Sequence, residues 1–444
     1  MAASTSSNLQ RIVVYSVFVR NHTPEGTFRA VIPDLPRIRA LGVDAIWLMP
    51  IHPLGVKARK GSLGSPYANR DYRAVNPEYG TMDDFLALVD AIHAQGMKCL
   101  IDVVYNHTSP DSVLWETHPE WFYLRPDGTP GNHVGDWSDI IDLDYAAPAS
   151  LAPDGLWDYQ VESLVSWARI VDGFRCDVAS FVPVEFWKRA REACEEVRPG
   201  CIWLAETVHR SFGNEMRRRG LYCATDAEAF DAFDIEYAYD VQEAFDAILA
   251  ERSPELQQAA VAHWLDLLDF QAAAYPRGFN KLRYLENHDI PRIAAGAKAA
   301  GLSLEALTAL VFFLPGATLL YAGQEVAAEH LPSLFDRDTV EWDTGQDLSA
   351  LIARLATTKH EVLGVDDSLK ARVEDGCVVV AERTGSARRT LGVFPLRGGS
   401  FAASADAPDG TYENLVDGQA VEVRGGQLAG EGPVIIVAPE RSQD

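Results

Sequence analysis

The chain has 444 residues, 47% of them hydrophobic and 23% charged, which excludes a disordered chain and leaves room for two or three domains. Its 64 Asp and Glu against 39 Lys and Arg give a net charge of −25. Such a surface excludes nucleic acid and anionic membranes as partners, since binding either needs clustered cations, while a neutral partner such as a sugar is unaffected.

The N-terminal stretch Met1–Asn8 has neither a basic nor an apolar region, so no signal peptide is visible. The longest apolar stretch, about 309–322, contains Pro315 and Gly316 and is too short to span a bilayer. Six cysteines (99, 176, 194, 201, 223 and 377) are scattered without a C-x-x-C pair. They predict no disulfide framework, no zinc site and a cytoplasmic location. A mature secreted chain would read the same.

The first strand is predicted over Ile12–Phe18. Ile32, Leu35, Ile38 and Leu41 then share a helical face that Gly42 closes. Ala45–Met49 is the second strand. Phe85, Leu88, Val89 and Ile92 mark a helix over Asp83–Gln95, ended by Gly96, and Lys98–Asn106 is the third strand. Further strands are expected near Gly173, Ile202, Phe233, Leu282 and Ala317. Eight strands alternating with helices predict an α/β chain whose parallel sheet is a (β/α)8 barrel over 10–358. About fifty residues after Asn106 are too many for a bare loop, so 107–155 reads as a small inserted subdomain overhanging the active face. Beyond Lys359, short alternating runs between Gly and Asp turns predict an antiparallel β-sandwich over 359–440.

Three of the barrel strands lead into an acid. Val171–Cys176 leads into Asp177, Cys201–Ala205 into Glu206, and Leu282–His288 into Asp289. Breaking an acetal needs a proton for the leaving oxygen and a partner for the oxocarbenium-like carbon, and two carboxyl groups of different protonation supply both. Arg175 lies two residues before Asp177, on the same strand face, and is expected to keep that acid ionised. It also reads as a structural partner for Asp102. Glu206 follows Trp203 and is expected to be raised by an apolar setting. His107 ends strand three and His288 precedes Asp289; each could donate to a sugar hydroxyl.

The segments Asp102-Val103-Val104-Tyr105-Asn106-His107-Thr108, Asp172-Gly173-Phe174-Arg175-Cys176-Asp177-Val178-Ala179, Ala205-Glu206-Thr207 and Glu286-Asn287-His288-Asp289-Ile290-Pro291-Arg292 resemble, in order and spacing, the four signatures of the α-amylase family of glycoside hydrolases. Gly64-Ser65-Pro66-Tyr67 with Asp71-Tyr72, and Gly316 with Tyr321-Ala322-Gly323-Gln324-Glu325, extend the resemblance over about 12–330. It implies a retaining mechanism with Asp177 as nucleophile, Glu206 as general acid/base and Asp289 as transition-state stabiliser. Arg175, His107 and His288 match the residues around the reacting glucose unit, and Tyr67 the aromatic stacked on it. Ala68 stands where exo-acting members often carry Asp, which slightly favours cleavage inside oligosaccharides. Asn106 matches a calcium-binding residue of many relatives, yet the other oxygens calcium needs are not assembled in the sequence, so no cofactor or metal is assigned.

The expected activity is hydrolysis of α-glucosidic bonds in maltooligosaccharides or related neutral α-glucans. A transglycosylase or α-glucan isomerase would use the same residues. A non-catalytic sugar-binding barrel usually lacks one of the acids. A metal-dependent barrel hydrolase is disfavoured because strand one has no His-x-His.

Overall fold

Eight short parallel strands make one sheet: β1 Val13–Val17, β2 Ala45–Leu48, β3 Lys98–Val103, β4 Gly173–Cys176, β5 Ile202–Ala205, β6 Ile235–Tyr237, β7 Lys281–Leu282 and β8 Thr318–Tyr321. Their order is β8-β1-β2-β3-β4-β5-β6-β7. The two ends also meet. Arg283 N–H donates to the Ala317 carbonyl at 2.7 Å, and Leu319 N–H to the Arg283 carbonyl at 2.8 Å. The sheet is thus a closed barrel, the expected (β/α)8 fold. This structure, a computed structural model, describes Ala2, 5–385 and 388–439. Met1, Ala3 and Ser4 of the N-terminal stretch and residues 386, 387 and 440 of the expected sandwich lie outside the described residues.

The barrel strands are almost entirely buried, because helices cover the outside and side chains fill the inside. Strand ends are where expectation and structure part. The third strand stops at Val103 rather than Asn106, and the sixth starts at Ile235 while Phe233 packs outside on Trp187 and Trp203. The helix expected over Asp83–Gln95 runs Met82–Ala94. Thr81 Oγ1 accepts from Asp84 N–H at 3.2 Å and Asp84 Oδ2 accepts from Thr81 N–H at 2.9 Å, a capping box that fixes its start.

Gly316 sits where β7 passes β8. Its φ is +115°, and a Cβ there would lie 2.2 Å from the Lys281 carbonyl oxygen. A side chain would therefore meet both a left-handed backbone and a neighbouring strand. Gly316→Ala is expected to lower stability by about 3 kcal/mol, read as a shift in the thermal or urea midpoint. An unchanged midpoint would show that closure does not depend on this contact.

The long segment after β3 forms a two-stranded pair, His107–Thr108 with Ile141–Asp142, and short helices at Val113–Thr117 and Pro148–Leu151. Trp121, Phe122 and Tyr145 anchor it to the main core.

Beyond helix Ser349–Glu361 come two four-stranded antiparallel sheets. One holds Ser368–Glu374, Val378–Thr384, Arg389–Pro395 and Val434–Ala438; the other holds Ser400–Ser404, Gln427–Glu431, Ala420–Arg424 and Gly410–Glu413. Arg389–Pro395 is buried throughout because it is covered on both faces. Phe394 packs on Phe313 of helix Leu304–Phe313, with ring centres 5.5 Å apart, while Leu391 and Val393 join Phe401 and Leu428 of the second sheet. The six cysteines are buried and unpaired. Among the described residues, no single helix is long and apolar enough to cross a membrane.

Candidate active site

The segments that follow β4, β5 and β7 deliver Asp177, Glu206 and Asp289 to one cavity of about 360 Å³. Asp177 N–H donates to the Val103 carbonyl and Glu206 N–H to the Cys176 carbonyl, each at 3.0 Å. The parallel ladder thus runs one residue past the strands and fixes both acids before any side chain is considered. Asn287 Oδ1 accepts from Asp289 N–H at 2.8 Å and fixes the third acid in a tight turn.

Arg175 organises the floor. Its Nη1 donates to Asp102 Oδ1 and Oδ2 at 3.0 Å and to Asp177 Oδ1 at 2.9 Å. Its Nη2 lies 2.9 Å from Glu206 Oε1, without the alignment of a hydrogen bond. The rings of Trp47, Tyr67 and Tyr237 surround the guanidinium at 5.0, 5.6 and 5.4 Å. Arg175 is fully buried and is not among the residues lining the cavity. It acts from beneath, through the acids.

One guanidinium divided among three carboxylates cannot hold all of them ionised. Burial pushes Asp177 and Glu206 up to about 7 and Asp102 up to about 6, with Arg175 opposing the shift in each case. Arg175, expected to keep Asp177 ionised, does oppose the shift there, but desolvation is the larger effect. Trp203 is not the source of the Glu206 shift either. It is three residues away, hence on the opposite strand face, and packs among Phe174, Trp187 and Phe233.

Val178, between the acids, has φ 34° and ψ 46°. A left-handed backbone at a β-branched residue is strained by about 1–3 kcal/mol. Here it turns the Val178 N–H onto Glu206 Oε2 at 2.8 Å.

Asp289 is the most open acid, with its side chain 41% exposed. Withdrawal from water pushes it up, but His288, with Nε2 3.0 Å from Oδ2, together with Arg175 and His209 outweighs this and holds the carboxyl below its ordinary range. Tyr67 stacks on His288 with ring centres 5.3 Å apart and planes 15° apart, and its hydroxyl lies 2.7 Å from His288 Nε2 and 3.2 Å from Asp102 Oδ2. His107 Nε2 is 3.9 Å from Asp177 Oδ2. Asn106 Nδ2 lies 3.1 Å from His107 Nδ1, and donation there leaves the ring proton on Nε2, facing the acid. Tyr67, His107, Asp177, Glu206, His288 and Asp289 all line the cavity.

Asn106 is the residue matched to a calcium ligand of relatives. Its amide is turned to His107, and Asp142 Oδ2 takes His133 N–H at 2.7 Å and the His133 ring at 2.8 Å. Among the described residues, no group of three or more His, Cys, Asp or Glu is placed to hold a metal.

The sequence reading missed much of the wall: Lys60, Trp137, Asp139, His209, Phe212 and Phe335. These come from the connections after β2, β3, β5 and β8. The only available signal was that such connections rise over the active face.

Residues 4–137 and 155–368 match the family model of the alpha amylase catalytic domain, and 368–437 that of the bacterial alpha amylase C-terminal domain. The crystal structure of an alpha-amylase from Lactobacillus plantarum superposes with a TM-score of 0.90 at 42% identity, covering 98% of this chain and 100% of that one. Alpha-amylase MalA of Haloarcula japonica is 28% identical across 96% of this chain and 60% of its own length. The alpha-1,4-glucan:maltose-1-phosphate maltosyltransferase of Myxococcus xanthus is 33% identical across 44% of this chain and 32% of its own. The chain thus spans less than two thirds of the length of these two curated relatives. With the catalytic-domain match running through all four strand-end segments and most of the chain, the protein belongs to the alpha-amylase family.

Proposed function

We propose that the protein is a retaining α-glycoside hydrolase acting on maltooligosaccharides or related α-glucans. The observation that carries this is a single guanidinium, Arg175, held 2.9 Å from both Asp177 and Glu206 at the base of a sugar-sized cavity. Two carboxyls sharing one guanidinium favour the short separation that direct attack requires over the wider one that holds a water between them.

Buried together, the two acids titrate as one unit. Asp177 accepts an aligned hydrogen bond from Arg175 and keeps the charge, while Glu206, off that axis, keeps the proton. Glu206 gives its proton to the glycosidic oxygen as Asp177 attacks the anomeric carbon. The leaving sugar departs and a glycosyl ester forms on Asp177. Water then gives a proton back to Glu206 and attacks that carbon, restoring Asp177. Asp289, with His288 behind it, grips hydroxyls of the reacting unit, and His107 Nε2–H faces the same ring.

A neutral substrate fits this wall: Lys60 is the one Lys or Arg among the described residues lining the cavity, and its charge is already met by Asp139. Transfer to a sugar acceptor is the second reading. Trp137 and Phe212, ring centres 6.3 Å apart, give an apolar wall beside Glu206 on which an acceptor ring could stack in place of water.

Incubation with one pure maltooligosaccharide is expected to give shorter products, resolved by size, with α configuration at the new reducing end. Products longer than the substrate would make transfer the main reaction. No change in any α-glucan, including pullulan and isomaltooligosaccharides, would sink the assignment.

A further inference from the structure

We propose that Lys60 and Asp139 form a charged wall across one side of the cavity and set the length of glucan the site accepts. The proposal rests on the glycosidase reading above and extends it to substrate length.

Three connections that leave the barrel separately meet at this wall. Lys60 belongs to the connection after β2, Asp139 to the long segment after β3, and Phe335 to the segment after β8. Lys60 Nζ lies 3.0 Å from Asp139 Oδ1, donates to the Asp136 carbonyl at 3.1 Å, and sits 5.9 Å from the centre of the Phe335 ring. All three side chains line the cavity.

The loop carrying Lys60 is built to hold it there. Leu63 N–H donates to the Phe335 carbonyl at 2.9 Å, and Ser62 gives its N–H and hydroxyl to Asp336 Oδ1 at 2.8 and 2.6 Å. Gly61 has φ +62°, and a Cβ there would lie 2.5 Å from Phe335 Cβ, so the loop lies directly against that segment. Asp139 is buried, while the Lys60 side chain is 32% exposed. The ammonium therefore borders the cavity on one side and solvent on the other.

A glucan running through this side must part the two charges. A glucan ending there meets donors and acceptors already in place. An ammonium has three N–H groups and two are engaged, which leaves one for a sugar hydroxyl. The wall thus rewards short chains and taxes long ones.

The test compares kcat/KM for maltotriose and maltoheptaose in the wild type, Lys60→Met and Lys60→Arg, with Asp139→Asn as an independent probe of the partner. Opening a half-exposed ion pair should raise the maltoheptaose-to-maltotriose ratio about fivefold in Lys60→Met. Asp139→Asn should move the ratio the same way, and Lys60→Arg should keep the wild-type ratio. A ratio unchanged in both Lys60→Met and Asp139→Asn overturns the wall while leaving the glycosidase reading intact. A wild type that cleaves neither sugar overturns the glycosidase reading, and the wall with it. Because the readout is a ratio within one variant, a general loss of folded protein does not imitate it.

Discussion

Asp177→Asn is expected to lose at least about 10⁴-fold in kcat on maltooligosaccharides while keeping its fold. The amide keeps an oxygen for Arg175 Nη1, so the 2.9 Å hydrogen bond survives. It has no charge to attack an anomeric carbon, so the covalent step is lost. Stability should be equal or higher, because one of three carboxylates competing for a single guanidinium has gone. The measurement pairs turnover with a thermal midpoint. Near-normal turnover in a folded variant would remove Asp177 from the reaction. Glu206→Gln separates the two acids. It should fail on maltooligosaccharides, whose leaving group needs a proton, and still form the glycosyl ester from an aryl glycoside whose leaving group needs none.

What the sequence disclosed and what it hid follow from range. Buried parallel strands write themselves as short apolar runs, so the eight barrel strands and the acids at their ends were legible from Val13 to Tyr321. The cavity walls were not. Lys60, Trp137 and Phe335 meet only because three loops of unrelated sequence rise over one face, and no local pattern encodes that meeting. Arg175 meets Asp177, near it in sequence, and Asp102, on the neighbouring strand, as expected; its third partner, Glu206, comes from the strand on the other side and left no local signal. Trp203 seemed to lie against Glu206, yet an odd spacing on a strand puts the two on opposite faces, which the sequence could have told.

Arg175→Met is expected to destabilise the fold by about 3–5 kcal/mol at pH 8 and by clearly less at pH 5. Methionine keeps the stem among Trp47, Tyr67 and Tyr237 but leaves Asp102, Asp177 and Glu206 without a counter-charge. The sign follows from proton binding. Asp177 and Glu206 ordinarily titrate near 3.8 and 4.5, and burial raises them to about 7 in the folded chain. Between those values the folded state holds more protons than the unfolded state, so stability falls as pH rises through the window. Loss of Arg175 raises the acids further and widens that window upward. At pH 5 the variant can protonate its buried carboxyls and keep most of its stability; at pH 8 it must either bury bare charges or unfold. Denaturant midpoints at the two pH values read this directly. A loss of the same size at both would mean that Arg175 serves as packing for the aromatic floor, and that the three carboxylates do not depend on its charge.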